Sequence, residues 1–412
     1  MANTALVVIL EKIASKDKDF RYMATSDLLQ ELQKDTFKAD AELEKKLCAV
    51  VLNQLEDQSG DISNLAVSCL GHLARKVADV RAEEMVRQLC DKVAGGGPAS
   101  GGTSAASKAR DAQREIAAIG LKALIKELQG GGGGGAAGGG GVPHASSHLA
   151  SSAATIIAGR MLEGLAAHKD DSEVVGHVLD ILTELIQRAG GLLGAEHCRM
   201  RDALLGALAE GRPVMRKRAL QGLAALSVFL SDEALAGVVG PLLQQLQQPG
   251  LKPDFARTYM QAVGQISRAV GYRFGRYLGT AVPLAIRHCD NAAEGDDELR
   301  EHCLQALEGF VLRCPHDTRP SLEALQGAAL RYMRYDPNYA GEEEEGGDEE
   351  DEDMGEGDEE GDEDADGDDA DEYSDDEDVS WKVRRAACRL LAALLARYPD
   401  ALPGLYGAAL GE

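Results

Sequence analysis

Aromatic side chains are scarce in this sequence of 412 residues, at 4% of the total with a single tryptophan. The hydrophobic fraction of 44% therefore consists largely of Ala, Leu and Val, a composition that suits closely stacked helices. The sequence also lacks Gly-x-Ser-x-Gly, His-Glu-x-x-His and any Cys/His cluster with metal-ligand spacing. We therefore expect a protein that is not an enzyme and that uses no catalytic residue, metal or cofactor.

Cysteine pairs and glycosylation signals are absent as well. None of the eight cysteines belongs to a Cys-x-x-Cys pair, and no Asn-x-Ser/Thr sequon occurs. Thiols without a disulfide framework favour a reducing intracellular compartment. An apolar run at residues 5–10 is too short for a signal peptide or a membrane span. We interpret this run as part of a first helix and expect no contact with a membrane.

Positive charge is missing from one long segment, which accounts for the formal net charge of −26. Residues 342–378 contain 26 Asp or Glu and no Lys or Arg, whereas the rest of the chain has 43 acids against 43 bases. Because the rest of the chain is electrically neutral overall, it does not attract nucleic acid through a general positive potential. We therefore expect no direct nucleic-acid partner. Such charge density prevents collapse, and we predict a disordered acidic loop at 341–378.

The sequence does contain a helical apolar stripe that recurs along the chain. Its clearest copy places apolar residues at offsets 0, +3, +4, +7 and +8 from Ala387, with Arg384 three residues before the stripe. In eight aligned copies, six of these preceding positions are arginine, and we call the set the arginine column. Its eight positions are Arg21, Ser63, Arg114, Val175, Arg216, Arg257, Arg300 and Arg384.

Four of the seven steps between these positions are 41–43 residues long, the length of a two-helix HEAT or armadillo repeat. The sequence thus predicts an all-α fold, an α-solenoid of HEAT/armadillo-type repeats over residues 1–412, with about eight repeats and a partial ninth. Flexible Gly-rich inserts at 95–107 and 130–147, and the acidic loop inside repeat eight, explain the longer steps. Pro241, Pro283 and Pro320 are expected near the starts of first helices, where proline is tolerated.

The arginine column admits two interpretations. Each arginine can bind a neighbouring turn and form a ladder between repeats, or the second helices can line a surface that contacts a partner. The densest basic clusters are the best partner-binding candidates. They comprise Arg216, Lys217, Arg218, Lys382, Arg384 and Arg385. Ser374 lies directly before three acidic residues, as an acid-directed kinase prefers, and is a candidate phosphorylation site.

Several long strings resemble the cullin-associated and neddylation-dissociated protein family, and they occur in the family's order. The strings are KDKDFRYMATSDLLQELQKD (16–35), VMRKRAL (214–220), RTYMQAV (257–263), DDELREHCLQALEGFVLRCP (296–315), YDPNY (335–339) and EYSDDEDVSWKVRRAA (372–387). The resemblance covers nearly all of the chain except the Gly-rich inserts and part of the acidic run, and it corresponds to the N-terminal part of the family.

This resemblance implies a HEAT solenoid that binds an unneddylated cullin with its RING partner and controls assembly of ubiquitin ligases, including SCF complex assembly and substrate-receptor exchange. The N-terminal arch of the family holds the cullin's C-terminal end and the RING protein, so we expect this chain to bind that end only. We further expect a monomer that binds one cullin, in the cytoplasm and nucleus. The alternative is an importin-β-like nuclear transport receptor, which also carries an acidic loop within a HEAT repeat.

Overall fold

The computed structural model describes residues 2–95, 104–127, 147–336, 380–401 and 403. The acidic loop at 341–378 with Ser374, most of both Gly-rich inserts and most of the partial ninth repeat lie outside the described residues. The chain forms two compact units, Met1–Gln244 and Gln245–Glu412.

The described residues form consecutive pairs of antiparallel helices with no strand among them. The first helices of the eight pairs are α1 (Ala2–Ile13), α3 (Ala41–Gln54), α5 (Asp79–Ala94), α7 (Ser147–Ala167), α9 (His197–Glu210), α11 (Asp232–Gln247), α13 (Leu278–Asp290) and α16 (Leu322–Met333). The second helices are α2 (Lys18–Gln33), α4 (Gly60–Ala74), α6 (Ser104–Glu127), α8 (Ser172–Ala189), α10 (Pro213–Ser227), α12 (Pro253–Val270), α14 (Asp297–Arg313) and α17 (Ser380–Arg397). A short helix, α15 (Pro315–Thr318), precedes α16. The predicted all-α solenoid is confirmed.

Second helices pack side by side along each unit. In the first unit α2 contacts α4, α4 contacts α6, α6 contacts α8 and α8 contacts α10; in the second unit α12 contacts α14 and α14 contacts α17. The apolar stripe explains this order, because a stripe at helical spacing presents one continuous face. On α8 that face consists of Val178, Ile181, Leu182, Leu185 and Ile186, all of them fully buried.

Two members of the arginine column bind carboxylates that lie before the next second helix. Arg21 on α2 donates to both carboxylate oxygens of Asp57, at 2.7 and 3.1 Å. Arg257 on α12 donates to Asp296 Oδ1 at 2.7 Å. These two arginines therefore form ion pairs between repeats, as the ladder interpretation predicts, whereas Arg300 binds Asp297 and two backbone carbonyls within its own pair of helices.

These carboxylates also bind the backbone at the start of their own second helix. Asp57 accepts a hydrogen bond from the Ser59 amide at 2.9 Å, and Asp296 caps α14 through the Leu299 amide at 3.2 Å. One carboxylate thus satisfies a helix N-terminus and a guanidinium from the preceding repeat. The Arg21 guanidinium holds the pKa of Asp57 below its usual range.

Two prolines lie inside first helices rather than at their starts. Pro241 is within α11 and Pro283 is within α13, so the predicted helix starts at these positions are wrong. Proline removes one helical hydrogen bond and costs about 3 kcal/mol in a helix interior. The buried apolar side chains on either side, such as Val238 and Leu242 around Pro241, continue the packing face through the proline. Tertiary packing therefore overrides local propensity here.

The Gly-rich insert predicted at 95–107 is shorter than its sequence suggests, because helix α6 begins at Ser104. Ala and Ser without glycine can continue a helix, which accounts for the last four residues of the insert. As a result α6 starts ten residues before Arg114, whereas α10 starts three residues before Arg216. The second helix of the third pair thus extends about two turns beyond the usual start.

The contact between α5 and α7 depends on the absence of a side chain at Gly164. A Cβ on Gly164 would lie 2.5 Å from the Cβ of Ala94, whereas a Cβ on Gly159 of the same helix would meet nothing within 4 Å. We expect Gly164→Ala to lower the free energy of unfolding by about 1–3 kcal/mol through overpacking. Gly159→Ala should raise it by up to about 1 kcal/mol, because alanine favours the helix. Urea unfolding of both variants measures the difference, and equal effects would contradict this account of the contact.

The Arg21–Asp57 pair predicts a pH-dependent contribution to stability. A carboxylate whose folded pKa is lowered stabilises the fold above its unfolded pKa of about 4, and the stabilisation is lost as the pH falls through the folded value. Asp57→Asn should therefore be less stable than the parent chain at pH 7 and closer to it at about pH 3. Urea unfolding at both pH values tests this. Asp61→Asn is the matched control, because Asp61 pairs with Lys18 in an exposed contact of 3.5 Å; a pH-independent loss at Asp57 would refute the linkage.

Candidate partner-binding surface

The first basic cluster lies in the first turns of α10, which begins at Pro213 in a position suited to proline. Arg216, a member of the arginine column, is buried, with 6% of its surface exposed. Lys217 is exposed and Arg218 is half-buried. The three adjacent side chains therefore point in different directions, and Lys217 is the one that the structure presents most openly to a partner.

A carboxylate on the neighbouring helix balances part of this charge. Asp180 on α8 lies 3.2 Å from Arg218 and 3.8 Å from Lys122 on α6. One acidic side chain thus connects three consecutive second helices. Burial lowers the pKa of the nearby His177, and the Glu173 and Asp180 carboxylates offset part of that effect. His177 is consequently neutral at physiological pH and adds no charge to this surface.

The second basic cluster lies at the start of α17. Arg384 donates to the Tyr335 carbonyl at 3.0 Å and to Ser380 Oγ at 2.8 Å, so it serves the fold like other members of the column. Arg385 is exposed; its guanidinium lies 4.6 Å from the centre of the Trp381 ring and 3.6 Å from Glu301 on α14. Lys382 lies 5.9 Å from the same ring. This cluster combines cations with an exposed aromatic side chain.

The structure separates the six candidates by exposure. Arg216 is buried, Lys217 and Arg385 are exposed, and the other three are half-buried: Arg218, Lys382 and Arg384. Each triplet is assembled on its own helix, and the two triplets belong to different units. Partner binding by the six residues stays a prediction, and Lys217 and Arg385 are the members best placed for it.

Exposed apolar side chains on second helices were not anticipated from the sequence. Phe20 and Met23 on α2, Ile119 on α6 and Val214 on α10 are all more than 40% exposed. Each lies off the apolar stripe, and that position is the signal that could have identified it. Large apolar groups among charged ones are typical of protein interfaces. The second helices of the first unit therefore present a mixed surface rather than a purely basic one.

The lengthened helix α6 also forms a groove with the start of α4. The groove has a volume of about 460 Å³ and contains Asn64, Glu115, Ile116 and Ile119 among its lining residues. Most of the α6 residues that line it, such as Glu115 and Ile119, lie beside Arg114 rather than in the extra turns at the start of the helix.

The described part of the chain contains no group of three or more His, Cys, Asp or Glu residues that could hold a metal ion. Six of the cysteines are buried and unpaired, and burial raises the pKa of Cys48 to about 11 and of Cys69 and Cys90 to about 12. Such thiols stay protonated and pack as small hydrophobic groups. Among the described helices, none is long and apolar enough to cross a membrane.

Comparison with known proteins identifies the sequence relationship. No family model matches the chain. The chain is 38% identical over 408 residues to cullin-associated NEDD8-dissociated protein 1 of Arabidopsis thaliana, covering 98% of this chain and 30% of that protein. It is 38% identical over 401 residues to cullin-associated NEDD8-dissociated protein 2 of Mus musculus, covering 97% and 29%. The chain belongs to the cullin-associated NEDD8-dissociated family. The resemblance inferred from the sequence strings is confirmed.

Two proteins of Emericella nidulans divide the match: the one named as the C-terminal part of cullin-associated NEDD8-dissociated protein 1 is 47% identical over 118 residues, covering 27% of this chain and 11% of that protein. The other, named as the N-terminal part of cullin-associated NEDD8-dissociated protein 1, is 26% identical over 319 residues, covering 73% of this chain and 87% of that protein. The chain spans about 30% of the length of the Arabidopsis and mouse relatives.

Solved structures support the fold. The structure of Kap121p bound to Pho4p superimposes with a TM-score of 0.57 at 12% identity, covering 100% of this chain and 36% of that one. Kap121p alone gives 0.55 at 12% identity, covering 97% and 35%. At this identity the likeness concerns the solenoid architecture alone.

Proposed function

We propose that this chain is a non-enzymatic scaffold that binds the C-terminal end of an unneddylated cullin together with its RING partner. The observation that carries the proposal is the identity of 37–38% over 97–98% of the chain to proteins named for cullin association, in plants, insects and mammals. Binding would occur as a monomer with one cullin and would control assembly of the ubiquitin ligase. We place this activity in the cytoplasm and nucleus.

The second helices supply the contact surface in this proposal. Lys217 and Val214 on α10, and Ile119 on α6, combine exposed charge with exposed apolar area in the first unit. Such a surface suits a partner that buries apolar side chains within a charged rim. Repeat proteins of this kind typically bind along extended surfaces, which fits an elongated partner such as a cullin.

We further propose that this chain does not release a substrate-receptor adaptor by itself. It spans about 30% of the length of its full-length relatives, so a contact made by the remaining 70% of those proteins has no counterpart in the 412 residues. Affinity should also be lower than that of a full-length relative, because linked contacts multiply their effects on binding.

Titration of a purified cullin–RING complex tests the proposal. The 412-residue chain should bind the form that lacks the ubiquitin-like modifier and bind the modified form at least about tenfold more weakly, a difference of about 1.4 kcal/mol. In a parallel assay with a bound adaptor, the chain should leave the adaptor in place. Equal binding to both cullin forms, or efficient adaptor release, would contradict the reading.

Charge reversal tests where the partner binds. Lys217→Glu on α10 should weaken cullin–RING binding by about fivefold to tenfold at low salt, and less at high salt, because exposed charges are screened. Lys45→Glu makes the same change at an exposed position of the first helix α3 and serves as the control. Isothermal titration calorimetry compares the two variants. A loss of affinity for Lys45→Glu alone would assign the contact to the first helices.

The importin-β-like alternative is tested with the same chain. Its predicted partners are a Ran-type GTPase and a basic cargo peptide, in place of a cullin–RING pair. The likeness to Kap121p concerns the fold alone, because its sequence is 12% identical to this chain. Binding of the GTPase in its GTP form, without binding of the cullin–RING pair, would replace the present proposal with that alternative.

A further inference from the structure

Two basic side chains on second helices of the first unit share a single carboxylate. Arg218 on α10 lies 3.2 Å from Asp180 on α8, and Lys122 on α6 lies 3.8 Å from the same oxygen, Oδ2. Among the described residues, Asp180 is the one carboxylate that either cation pairs with. We call these three residues the Asp180 bridge. Two positive charges face one negative charge there, so one positive charge is left without a compensating carboxylate.

The hydrogen-bond donors of the two cations are also unused. Within the described part of the chain, neither Arg218 nor Lys122 donates a hydrogen bond, and their contact with Asp180 is electrostatic. The side chains of Lys122, Asp180 and Arg218 are 35%, 30% and 35% exposed. A ligand can therefore reach the donors, and the partial burial strengthens a charge interaction relative to one in open water. A guanidinium presents its donors in a fork that matches a carboxylate.

The Asp180 bridge occupies a line of positions that stays open along the second helices. Asp180 follows the column position Val175 by five residues. At the same offset Ser68 on α4 and Ile119 on α6 are exposed. Helices α4 and α6 each have a second helix on both sides, and α8 likewise lies between α6 and α10. The exposure of the bridge is therefore independent of where the row of helices ends.

A glycine on α8 provides the space for Arg218. A Cβ on Gly176 would lie 2.5 Å from the Nη1 atom of Arg218. Because Gly176 and Asp180 are four residues apart, they lie on the same side of α8. The guanidinium therefore crosses α8 above Gly176 and reaches Asp180. A larger residue at position 176 would move the guanidinium away from the carboxylate and from Lys122.

Exposed apolar side chains lie beside both cations. Ile119 is 44% exposed and precedes Lys122 by three residues on α6, and Val214 is 59% exposed and precedes Arg218 by four residues on α10. Side chains at these spacings are neighbours on one face of a helix. The backbone of a nucleic acid presents phosphates without apolar side chains, whereas a protein presents carboxylates and apolar side chains together. The surface around the bridge therefore suits a protein.

We propose that the Asp180 bridge binds a carboxylate side chain of the partner protein, and that apolar neighbours of this carboxylate pack on Ile119 and Val214. Arg218 and Lys122 donate hydrogen bonds to the carboxylate, which supplies the negative charge that the bridge lacks. This inference deepens the proposed function and rests on it for the identity of the partner, the cullin–RING complex. It adds the chemistry of one contact and the residues that make it.

Asp180→Asn gives the sharpest test, because a binding role and a structural role predict opposite signs. Without the competing carboxylate both cations turn to the partner, so affinity for the unneddylated cullin–RING complex should rise by about threefold or more at low salt, and by less at high salt. Asp202→Asn removes the same charge from an ion pair on the first helix α9 and should alter affinity by less than about twofold. Unchanged or weaker binding of Asp180→Asn in isothermal titration calorimetry would overturn the proposal.

Gly176→Ala tests the position of Arg218 without changing any charge. The added Cβ displaces the guanidinium, so the two cations no longer meet at one carboxylate, and cullin–RING affinity should fall by about threefold or more. The urea midpoint should stay the same or rise, because alanine favours a helix and the displaced group is the end of a flexible side chain. Gly206→Ala on α9 is the matched control, since a Cβ there would meet nothing within 4 Å. Equal affinities of the two variants would reject the site.

A peptide probe separates failure of this inference from failure of the proposed function. The probe is a peptide Ser-Leu-Glu-Leu-Ser with blocked ends, and its control has Gln in place of Glu. The methyl NMR signal of Ile119, identified by its loss in Ile119→Val, should shift with the Glu peptide and far less with the Gln peptide. Such a shift in a chain that does not bind the cullin–RING complex would retain the site and reject the proposed function. No shift, or equal shifts with both peptides, would overturn the carboxylate site even where the cullin–RING complex binds.

Discussion

A single carboxylate at the start of a second helix performs two tasks, and the register of the repeats depends on both. Asp57 and Asp296 each bind a backbone amide of their own helix start and the arginine of the preceding second helix. A shift of one repeat relative to the next would break the contact between the arginine and the carboxylate, whose position is fixed by its own helix start. Packing between repeats therefore explains the arginine at positions 21 and 257, whereas Arg300 and Arg384 bind groups within their own pairs of helices.

The same constraint determines which basic residues remain for binding. On α10 and α17 the side chain three residues before the stripe is used by the fold, and the one after it is exposed. Lys217 follows Arg216, and Arg385 follows Arg384. The functional surface in the proposed account thus consists of residues adjacent to the structural column. Its neighbouring apolar side chains, such as Val214, add the area that a partner can bury.

Much of the architecture could be predicted because one signal repeats. The stripe and the arginine column located all eight second helices, since helical periodicity and a fixed repeat length reinforce each other. The helix interior around Pro241 was mispredicted because buried neighbours outweigh the local cost of proline. Among the candidates, a run of adjacent basic residues could not reveal that Arg216 is buried while Lys217 is exposed. That distinction depends on how α10 packs in three dimensions, which adjacent positions in the sequence do not show.

Hydrogen–deuterium exchange on the 412-residue chain, with and without an unneddylated cullin–RING complex, tests the central claim most directly. The account predicts slower exchange in peptides from second helices of the first unit, including α10, with little change in first helices such as α3. Hydrogen exchange reports the opening of each helix separately. It therefore distinguishes first helices from second helices without any substitution. Protection confined to first helices, or no protection in the first unit, would contradict the claim that second helices form the partner-binding surface.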